Sequence, residues 1–205
     1  GNMRDLEPSE ISDYACEDAD ITLQLKIIFE KEIKKPHLKD LFYDMEMPLV
    51  EVLMEMEEEG IAIDSKALAE YSKELDSTLI DLDSQIKELA GMEFNTDSPK
   101  QMGEVLFEKL KISAKAKKTK TGQYATSEDV LEKHKHDHPI VPLILEYRQL
   151  RKLKSTYVDA LPTYCDQNDG RIHTNFMQTV TATGRLSSNN PNLQNIPIRS
   201  EKGRE

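Results

Sequence analysis

The sequence predicts a mainly α-helical protein with a small β part, of the α+β class. Two stretches, 65–90 and 139–161, repeat apolar residues every three or four positions, the spacing of one helix face. Charged residues make up 32% of the 205 residues and aromatic residues 6%, with no Trp, a composition that favours helices over a sandwich or a barrel. We therefore expect a long antiparallel helical hairpin and a short antiparallel β segment.

The first part of the chain predicts two helices. One runs from Ile11 to Lys35, with Ser12 or Asp13 as its N-cap. Pro36 ends it, because the residue before a proline is disfavoured in a helix. The other runs from Leu38 to Glu59 and carries an apolar stripe.

The clearest helical pattern spans Ser65 to Ala90. Asp64 or Ser65 can cap its start, and Gly91 closes it. A helix of this length measures roughly 39 Å at 1.5 Å per residue, and its apolar stripe needs a partner helix. The stretch from Pro139 to Leu161 is the predicted partner.

A basic loop lies between these two helices. Ser98 caps a short helix that begins at Pro99, with Gln101 at the third helical position. Residues 115–125 then hold four lysines and no acidic side chain. This loop is either a solvated surface loop or a clamp of Lys and Thr side chains on a phosphate backbone.

A small β segment is predicted near the end of the sequence. Asp169-Gly170 is a strong turn signal, and residues 171–180 that follow are rich in β-forming side chains. We expect residues 181–186 to form the strand that pairs with them.

Charge is distributed unevenly along the chain. The net charge is -11, but residues 1–60 alone hold 17 acidic and 6 basic side chains. Residues 98–160 hold 13 basic and 8 acidic side chains, and residues 170–204 hold 5 and 1. Since partners respond to local patches rather than to the total, the second half can carry a nucleic-acid surface.

The cysteine residues and the hydropathy of the chain indicate its cellular compartment. Cys16 and Cys165 are isolated and lack a metal-ligand spacing, which is typical of a reduced, cytoplasmic protein. No apolar run approaches the roughly 18 residues that a membrane span requires, and no secretory leader is visible. We therefore expect no membrane partner.

The segment 181–197 carries directed polar groups. It holds four Asn, one Gln and one Arg among short hydroxyl side chains, fixed by Gly184, Pro191 and Pro197. Amides and a guanidinium can read a base edge or hold a sugar or phosphate. The alternative is an Asx-turn loop whose amides satisfy its own backbone.

The acidic face of the first helix has two interpretations. Glu17, Asp18 and Asp20 are either an ordinary solvated face or include a carboxylate ligand for Mg²⁺. Tyr14 and Asp18 are four residues apart, so they share one side of the helix.

Several motifs along the chain belong together. The most specific is Thr181-Ala182-Thr183-Gly184-Arg185-Leu186-Ser187-Ser188 with Pro191-Asn192-Leu193-Gln194-Asn195-Ile196-Pro197. Upstream motifs are Leu145-Glu146-Tyr147-Arg148, Lys152-Leu153-Lys154-Ser155-Thr156-Tyr157, Phe94-Asn95 and Lys120-Thr121-Gly122. Together they resemble the family A DNA polymerases, the family of bacterial DNA polymerase I. Tyr14-Ala15 and Glu17-Asp18-Ala19-Asp20 resemble the last motif of the family's 3′–5′ exonuclease domain.

The resemblance implies contacts to primer–template DNA. Arg185 would contact the minor groove near the growing end. The duplex backbone and minor-groove edge would be held by Asn192, Gln194 and Asn195, with Arg199 as an additional candidate. The thumb would contact the backbone through Arg148, Lys152, Lys154, Ser155 and Thr156. The thumb tip would use Asn95, Ser98, Lys117, Lys120 and Thr121.

The resemblance also implies a division into domains. Residues 1–35 would be the C-terminal end of the exonuclease domain, 36–64 connecting helices at the base of the polymerase domain, 65–162 the thumb, and 163–205 the N-terminal part of the palm. Asp18 would be an exonuclease metal ligand, only together with upstream ligands, and Tyr14 would position the attacking water.

The parent implied by this resemblance is a DNA-directed DNA polymerase, a nucleotidyltransferase of replication and repair in the bacterial cytoplasm, at the nucleoid. It would use Mg²⁺ and deoxynucleotides. The family's catalytic carboxylates and fingers helix belong to later motifs, so we expect the chain itself to be inactive and to bind no metal stably.

The residues considered without the resemblance leave two other functions open. The acidic first 60 residues could make the chain a helical protein-interaction module without a nucleic-acid role. A free-standing Mg²⁺ nuclease centred on Asp18 is the third hypothesis. The resemblance favours duplex binding over both.

Overall fold

Seven α-helices, three π-helical turns, one 3₁₀ turn and four short strands make up the regular structure of the residues that the computed structural model describes, 6–113, 116–197 and 202–203. The chain divides into two units. The first comprises Gly1–Glu59 and Phe176–Leu186, and the second comprises Gly60–Asn175 and Ser187–Glu205. The helices are α1 (Pro8–Ile33), α2 (Pro36–Asp40), α3 (Met47–Glu59), α4 (Ser65–Ala90), α5 (Pro99–Glu104), α6 (Glu128–Glu132) and α7 (Ile140–Leu153). The strands are β1 (Ile61–Ala62), β2 (Arg171–Ile172), β3 (Asn175–Met177) and β4 (Ser187–Asn189).

The start of α1 corrects the predicted cap. The helix begins at Pro8, and the carboxylate of Glu10 accepts a hydrogen bond from the backbone N–H of Glu7 at 3.0 Å. Proline suits the first helical position because it has no N–H to satisfy. Ser12 and Asp13 therefore lie inside the helix, and the prediction that one of them caps it is wrong.

In the first unit, hydrogen bonds connect the segment Phe176–Leu186 to residues 41–59. The backbone N–H of Phe176 donates to Glu57 Oε1 at 2.5 Å. The side-chain amide of Gln178 donates to the carbonyl oxygen of Glu46 at 2.9 Å and to its carboxylate at 2.7 Å. Glu46 ends a π-helical turn, Leu41–Glu46, that joins α2 to α3.

The predicted bounds of α4 are confirmed. Asp64 Oδ1 accepts from the backbone N–H groups of Lys66 at 3.0 Å and Ala67 at 2.9 Å. Gly91 closes the helix with a φ of 61°, a left-handed conformation that costs glycine little. The local signals at both ends of this helix were sufficient to place it.

The core of the second unit lies between α4 and α7, which pack against each other. Ser72, early in α4, bonds to Lys154, just after α7 ends, so the two helices are antiparallel as expected. The largest fully buried side chains in this core are Leu75, Ile86, Met102, Leu106, Leu131, Ile140 and Ile144. Each such apolar side chain contributes about 1.5–3 kcal/mol when removed from water, which makes this core the main source of stability in the unit.

The end of α7 differs from the prediction of one continuous helix to Leu161. After Leu153 the chain forms a π-helical turn, Lys154–Val158, in which the N–H of Asp159 donates to the carbonyl of Lys154 at 2.9 Å. A 3₁₀ turn, Leu161–Tyr164, follows. The π turn holds one residue more than an α turn, so side-chain directions shift at this point.

The predicted partner strand at residues 181–186 is wrong, because the strand that pairs with β3 is β4, at Ser187–Asn189. β2 pairs antiparallel with β1, placing Ile172 opposite Ile61 and Arg171 opposite Ala62. Residues 181–186 form a turn rather than a strand, with Gly184 at a φ of 73°. The Thr181 hydroxyl donates to the carbonyl of Arg185 at 2.5 Å, which closes this turn on itself.

Within the described ranges, no helix combines the length and the apolar character that crossing a bilayer requires.

Candidate nucleic-acid interface

The flank of α7 and the π turn after it expose three of the predicted DNA contacts. Lys152, Ser155 and Thr156 are all exposed. An ammonium and two hydroxyls within five successive positions can donate to phosphate oxygens without selecting a sequence.

Arg148 joins α7 to Thr126, two residues before α6. Its guanidinium is half-buried and donates to the carbonyl oxygen of Thr126 and, at 3.2 Å, to the Thr126 hydroxyl. Burial lowers the pKa of the Arg148 guanidinium. Thr126 itself is only 6% exposed, so Arg148 satisfies polar atoms that water does not reach freely.

Lys154 is buried, in contrast to its neighbours. Its ammonium donates to Ser72 Oγ and to Asp159 Oδ2, each at 2.8 Å, and pairs with Asp76 Oδ2 at 3.3 Å. Hydrogen bonding to Asp159 raises the pKa of Lys154. Since an ammonium has three donors, all three are engaged inside the chain, and the predicted phosphate contact by Lys154 does not fit this placement.

The basic loop forms a hairpin over residues 117–125, which we call the basic hairpin. Lys118 and Tyr124 face each other across an antiparallel bridge. The N–H of Thr119 donates to the carbonyl of Gln123 at 2.7 Å, and that of Ala125 to Lys117 at 2.8 Å. The loop thus has its own backbone ladder.

Tyr124 docks the basic hairpin onto α5 and the π-helical turn after it, Val105–Lys109. Its ring lies 5.2 Å from that of Phe107, centroid to centroid, and the Lys118 ammonium lies 4.7 Å above it. A Cβ on Gly103 would stand 2.8 Å from the Cβ of Tyr124, so only glycine permits this approach. The docked loop leaves exposed Lys117, Lys120 and Thr121.

Asn95 and Ser98 organise the start of α5. Ser98 Oγ accepts from the N–H of Gln101 at 3.4 Å, and Gln101 Oε1 accepts from the N–H of Asn95 at 2.7 Å. Asn95 Oδ1 accepts from the N–H of Asp97 at 3.0 Å. The cap predicted at Ser98 is confirmed, and Asn95 remains exposed.

Asp97 also contacts α7. The hydroxyl of Tyr147 donates to Asp97 Oδ1 at 3.1 Å, and Arg151 pairs with Asp97 Oδ2 at 3.3 Å. Burial, together with the negative charge of Asp97, raises the pKa of Tyr147 to about 12. This cluster fixes the loop before α5 against the middle of α7.

The oxygens of the amide-rich segment serve its own backbone. Gln194 Oε1 accepts from the N–H of Ser188 at 3.1 Å, and Asn192 Oδ1 accepts from the N–H of Gln194 at 3.0 Å. The Asx-turn interpretation is thus correct for these oxygens. Asn192, Gln194 and Asn195 are nevertheless all exposed.

The amide-rich segment is anchored on two sides. The buried Ser188 hydroxyl contacts Thr174 Oγ1 at 2.7 Å and accepts from the N–H of Leu193 at 3.2 Å. The hydroxyl of Tyr157, in the π turn after α7, donates to the carbonyl of Asn195. These bonds hold the exposed amides beside the end of the helical hairpin.

One cavity of about 340 Å³ brings distant predicted contacts together. Arg148 and Lys152 from α7 line it together with Tyr157, Asn195 and Lys202. Two of the three DNA-contacting segments predicted within the second unit therefore meet at one concave surface.

Two of the predicted contacts cannot be placed against this surface. Arg185 belongs to the first unit, where it is exposed. Arg199 lies outside the described residues.

Tyr14 and Asp18 lie on α1 and are exposed, Tyr14 to 57%. Among the residues with described positions, no group of three or more His, Cys, Asp or Glu side chains could hold a metal ion. Two-metal chemistry needs all its ligands within a few ångströms of one another, and Asp18 on α1 can supply only one of them.

Comparison with known proteins identifies the family. A family model described as DNA polymerase family A matches residues 65–205. The chain belongs to this family. The DNA polymerase I of Synechocystis sp. is 47% identical over 205 residues, covering 99% of this chain and 21% of that protein. The DNA polymerase I of Bacillus subtilis is 44% identical over 200 residues, covering 97% and 22%.

A solved structure from the same family has a similar fold. The POL domain of Pol1 from M. smegmatis, in complex with DNA primer-template and dNTP, is 42% identical with a TM-score of 0.78. The match covers 89% of this chain and 32% of that one. The mainly helical fold with a small β part is thereby confirmed, and the chain spans about a fifth of the length of the curated relatives.

Sequence reasoning missed the residues that hold the surface in place. Asp159 lies five residues after Lys154, a spacing that brings side chains together in a π turn but not in an α-helix. Gly103 gave no signal because an isolated glycine in a helix has several explanations. Tyr124, the single aromatic residue within the basic loop, was a usable signal for an anchor.

Proposed function

We propose that this chain is the part of a DNA-directed DNA polymerase that grips primer–template duplex during replication and repair synthesis. The main observation in support of this proposal is the cavity that Arg148, Lys152 and Asn195 line together. Family membership supports the proposal, as does the excess of basic side chains in residues 98–160.

The proposed domains follow the family. Residues 1–35 are the end of the exonuclease domain, 36–64 connecting helices, 65–162 the thumb and 163–205 the start of the palm. The long antiparallel pair α4 and α7, with the basic hairpin beyond it, supports the thumb assignment.

Two kinds of contact hold the duplex in this proposal. Exposed Lys and hydroxyl side chains bind phosphates. Near α7 they are Lys152, Ser155 and Thr156, and at the thumb tip they are Lys117, Lys120 and Thr121, with Asn95 and Ser98 as further contacts. The amides Asn192, Gln194 and Asn195, with Arg185 and Arg199, contact the minor groove and nearby backbone. Minor-groove acceptors differ little between A·T and T·A pairs, so a polymerase can use them on any template.

Family membership implies a divalent metal for the whole polymerase. We propose Mg²⁺, with deoxynucleotides as substrates, in the bacterial cytoplasm at the nucleoid. Asp18 is proposed as an exonuclease metal ligand that acts only with ligands absent from the described residues, and Tyr14 as the residue that orients the water. Neither residue is assigned a step in polymerisation.

Salt-dependent duplex binding by the whole polymerase tests this function. We expect log Kd to rise steeply with log salt concentration, with little sequence preference. Lys152→Met should lower the slope by about 0.9, the value for one phosphate contact. Lys26→Met, which removes the same charge from the acidic first 60 residues, should leave the slope unchanged.

Binding that is insensitive to salt would contradict the proposal. If the Lys152 and Lys26 variants changed the slope equally, only the total charge would matter for binding, and the proposal would also be overturned.

A further inference from the structure

The thumb contact predicted from the sequence contains two lysines with opposite environments. Lys152 is exposed, whereas Lys154, two residues later, is 7% exposed. Only one of the two ammonium groups is therefore free to meet a phosphate.

The partners of Lys154 come from two separate elements. Ser72 and Asp76 belong to the first half of α4, and Asp159 follows the π turn after α7. Ser72 Oγ in turn donates to Asp159 Oδ1 at 2.7 Å, which closes a ring of hydrogen bonds around the ammonium. We call these four residues the base cluster.

The charges in the base cluster support each other. Burial alone would raise the pKa of Asp159, but hydrogen bonds from Lys154 and Ser72 outweigh it and lower the pKa. Asp76 and Asp159 keep side-chain exposures of 56% and 46%, so the cluster is open to water on its acidic side. The buried member is the lysine.

Lys154 points inward because it continues the buried face of α7, four residues after Leu150, and the π turn brings Asp159 to it. The i to i+5 backbone bond of this turn places Asp159 above Lys154, where an α-helix would place residue 158. Lys152, Ser155 and Thr156 remain on the outside of the same stretch.

We infer that Lys154 is a positioning residue, which fixes the exposed Lys152, Ser155 and Thr156 relative to α4, and that it makes no phosphate contact itself. This inference rests on the proposed duplex-binding function. Through Asp159, the base cluster also fixes the chain that leaves α7 toward the 3₁₀ turn. The helical hairpin and the exposed donors thus form one rigid surface.

The test measures the Kd of the whole polymerase for a primer–template duplex over a series of salt concentrations, well below the melting temperature of every variant. Lys154→Met should raise Kd by roughly three- to tenfold at each salt concentration with an unchanged slope. Asp159→Asn should do the same without altering any proposed DNA contact. The double variant should be no weaker than the more affected single variant, because both changes break the same cluster.

Lys152→Met provides the matched comparison, with a slope lower by about 0.9. If Lys154→Met lowers the slope by a similar amount, Lys154 is a phosphate ligand and the inference fails. If Lys154→Met or Asp159→Asn lowers only the melting temperature and leaves Kd unchanged, the cluster is structural and does not position the surface. An unchanged slope for Lys152→Met would instead contradict the proposed function, whatever the Lys154 result.

Should Lys154→Met fail to fold, Asp159→Asn and Ser72→Ala still test the positioning role, because each weakens the cluster and retains the lysine. An unchanged Kd in both variants would overturn the inference.

Discussion

Removing the ring of Tyr124 should loosen the basic hairpin while the helices beneath it stay folded. In Tyr124→Ala the hairpin loses the ring contact with Phe107 and the cation–π contact with Lys118. The first contributes about 0.5–1.5 kcal/mol and the second about 0.5–1 kcal/mol at an exposed site. The free energy of local opening should therefore fall by about 1.5 kcal/mol, which corresponds to roughly tenfold faster hydrogen exchange.

The backbone amides of Thr119, Gly122 and Ala125 report this opening, because each donates a hydrogen bond within the basic hairpin. Hydrogen exchange of the whole polymerase, followed by mass spectrometry or NMR, should show faster exchange there and no change in α4. Tyr124→Phe is the control, since it keeps both ring contacts and should exchange like the original chain.

Two results would refute this reasoning. Unchanged exchange in Tyr124→Ala would mean that the ring does not hold the hairpin. Equal acceleration in the Ala and Phe variants would mean that the hydroxyl, rather than the ring, is the anchor.

Three further predictions follow from the remaining contacts. Tyr147→Phe loses the hydrogen bond to Asp97, about 1 kcal/mol of unfolding free energy at pH 8. Because the folded pKa of Tyr147 is raised to about 12, its contribution is complete below the unfolded pKa near 10 and is lost as the pH rises to 12. The stability difference between the original chain and the Phe variant should thus shrink between pH 10 and 12 in urea titrations, and a constant difference would contradict the assignment. Arg148→Met leaves the oxygens of Thr126 without their donor and should cost about 2 kcal/mol, or roughly 4–8 °C in Tm by calorimetry, whereas an unchanged Tm would show that water replaces the guanidinium. Arg185→Ala in the whole polymerase should reduce kcat/KM for primer extension by about tenfold, and unchanged kinetics would refute its proposed minor-groove contact.

The helical hairpin was predictable because its signals are local. Asp64 and Gly91 mark the two ends of α4, and the apolar repeat between them has one helical period. The same holds for the cap at Ser98. Each of these features is decided within a few residues of sequence.

The pairing of β2 was not predictable from local pattern. Residues 171–180 alternate like a strand, but β2 pairs with Ile61–Ala62, more than a hundred residues earlier. A two-residue strand such as β1 carries no periodicity to detect. The predicted partner, 181–186, is instead closed into a turn by Thr181 and Gly184.

The sequence named the residues of the candidate interface but did not indicate which partners they meet in the structure. Lys152 and Lys154 belong to one basic motif, and the spacing of Lys154 from Tyr147 and Leu150 places it on the apolar face of α7 without naming its partners. Its partners come from the π turn, which supplies Asp159, and from Ser72 and Asp76, about eighty residues away in sequence. The DNA contacts of the exposed residues stay predictions until binding is measured.

The π turn Lys154–Val158 also bears on how the length of the chain can vary here. It holds one residue more than an α turn, so deleting one residue from it would leave Asp159 one α-helical turn above Lys154 and keep the register of the chain that follows. A gap of one residue is therefore the change of length that this place can absorb, and the open space around Gly122, at the tip of the basic hairpin, can accept insertions.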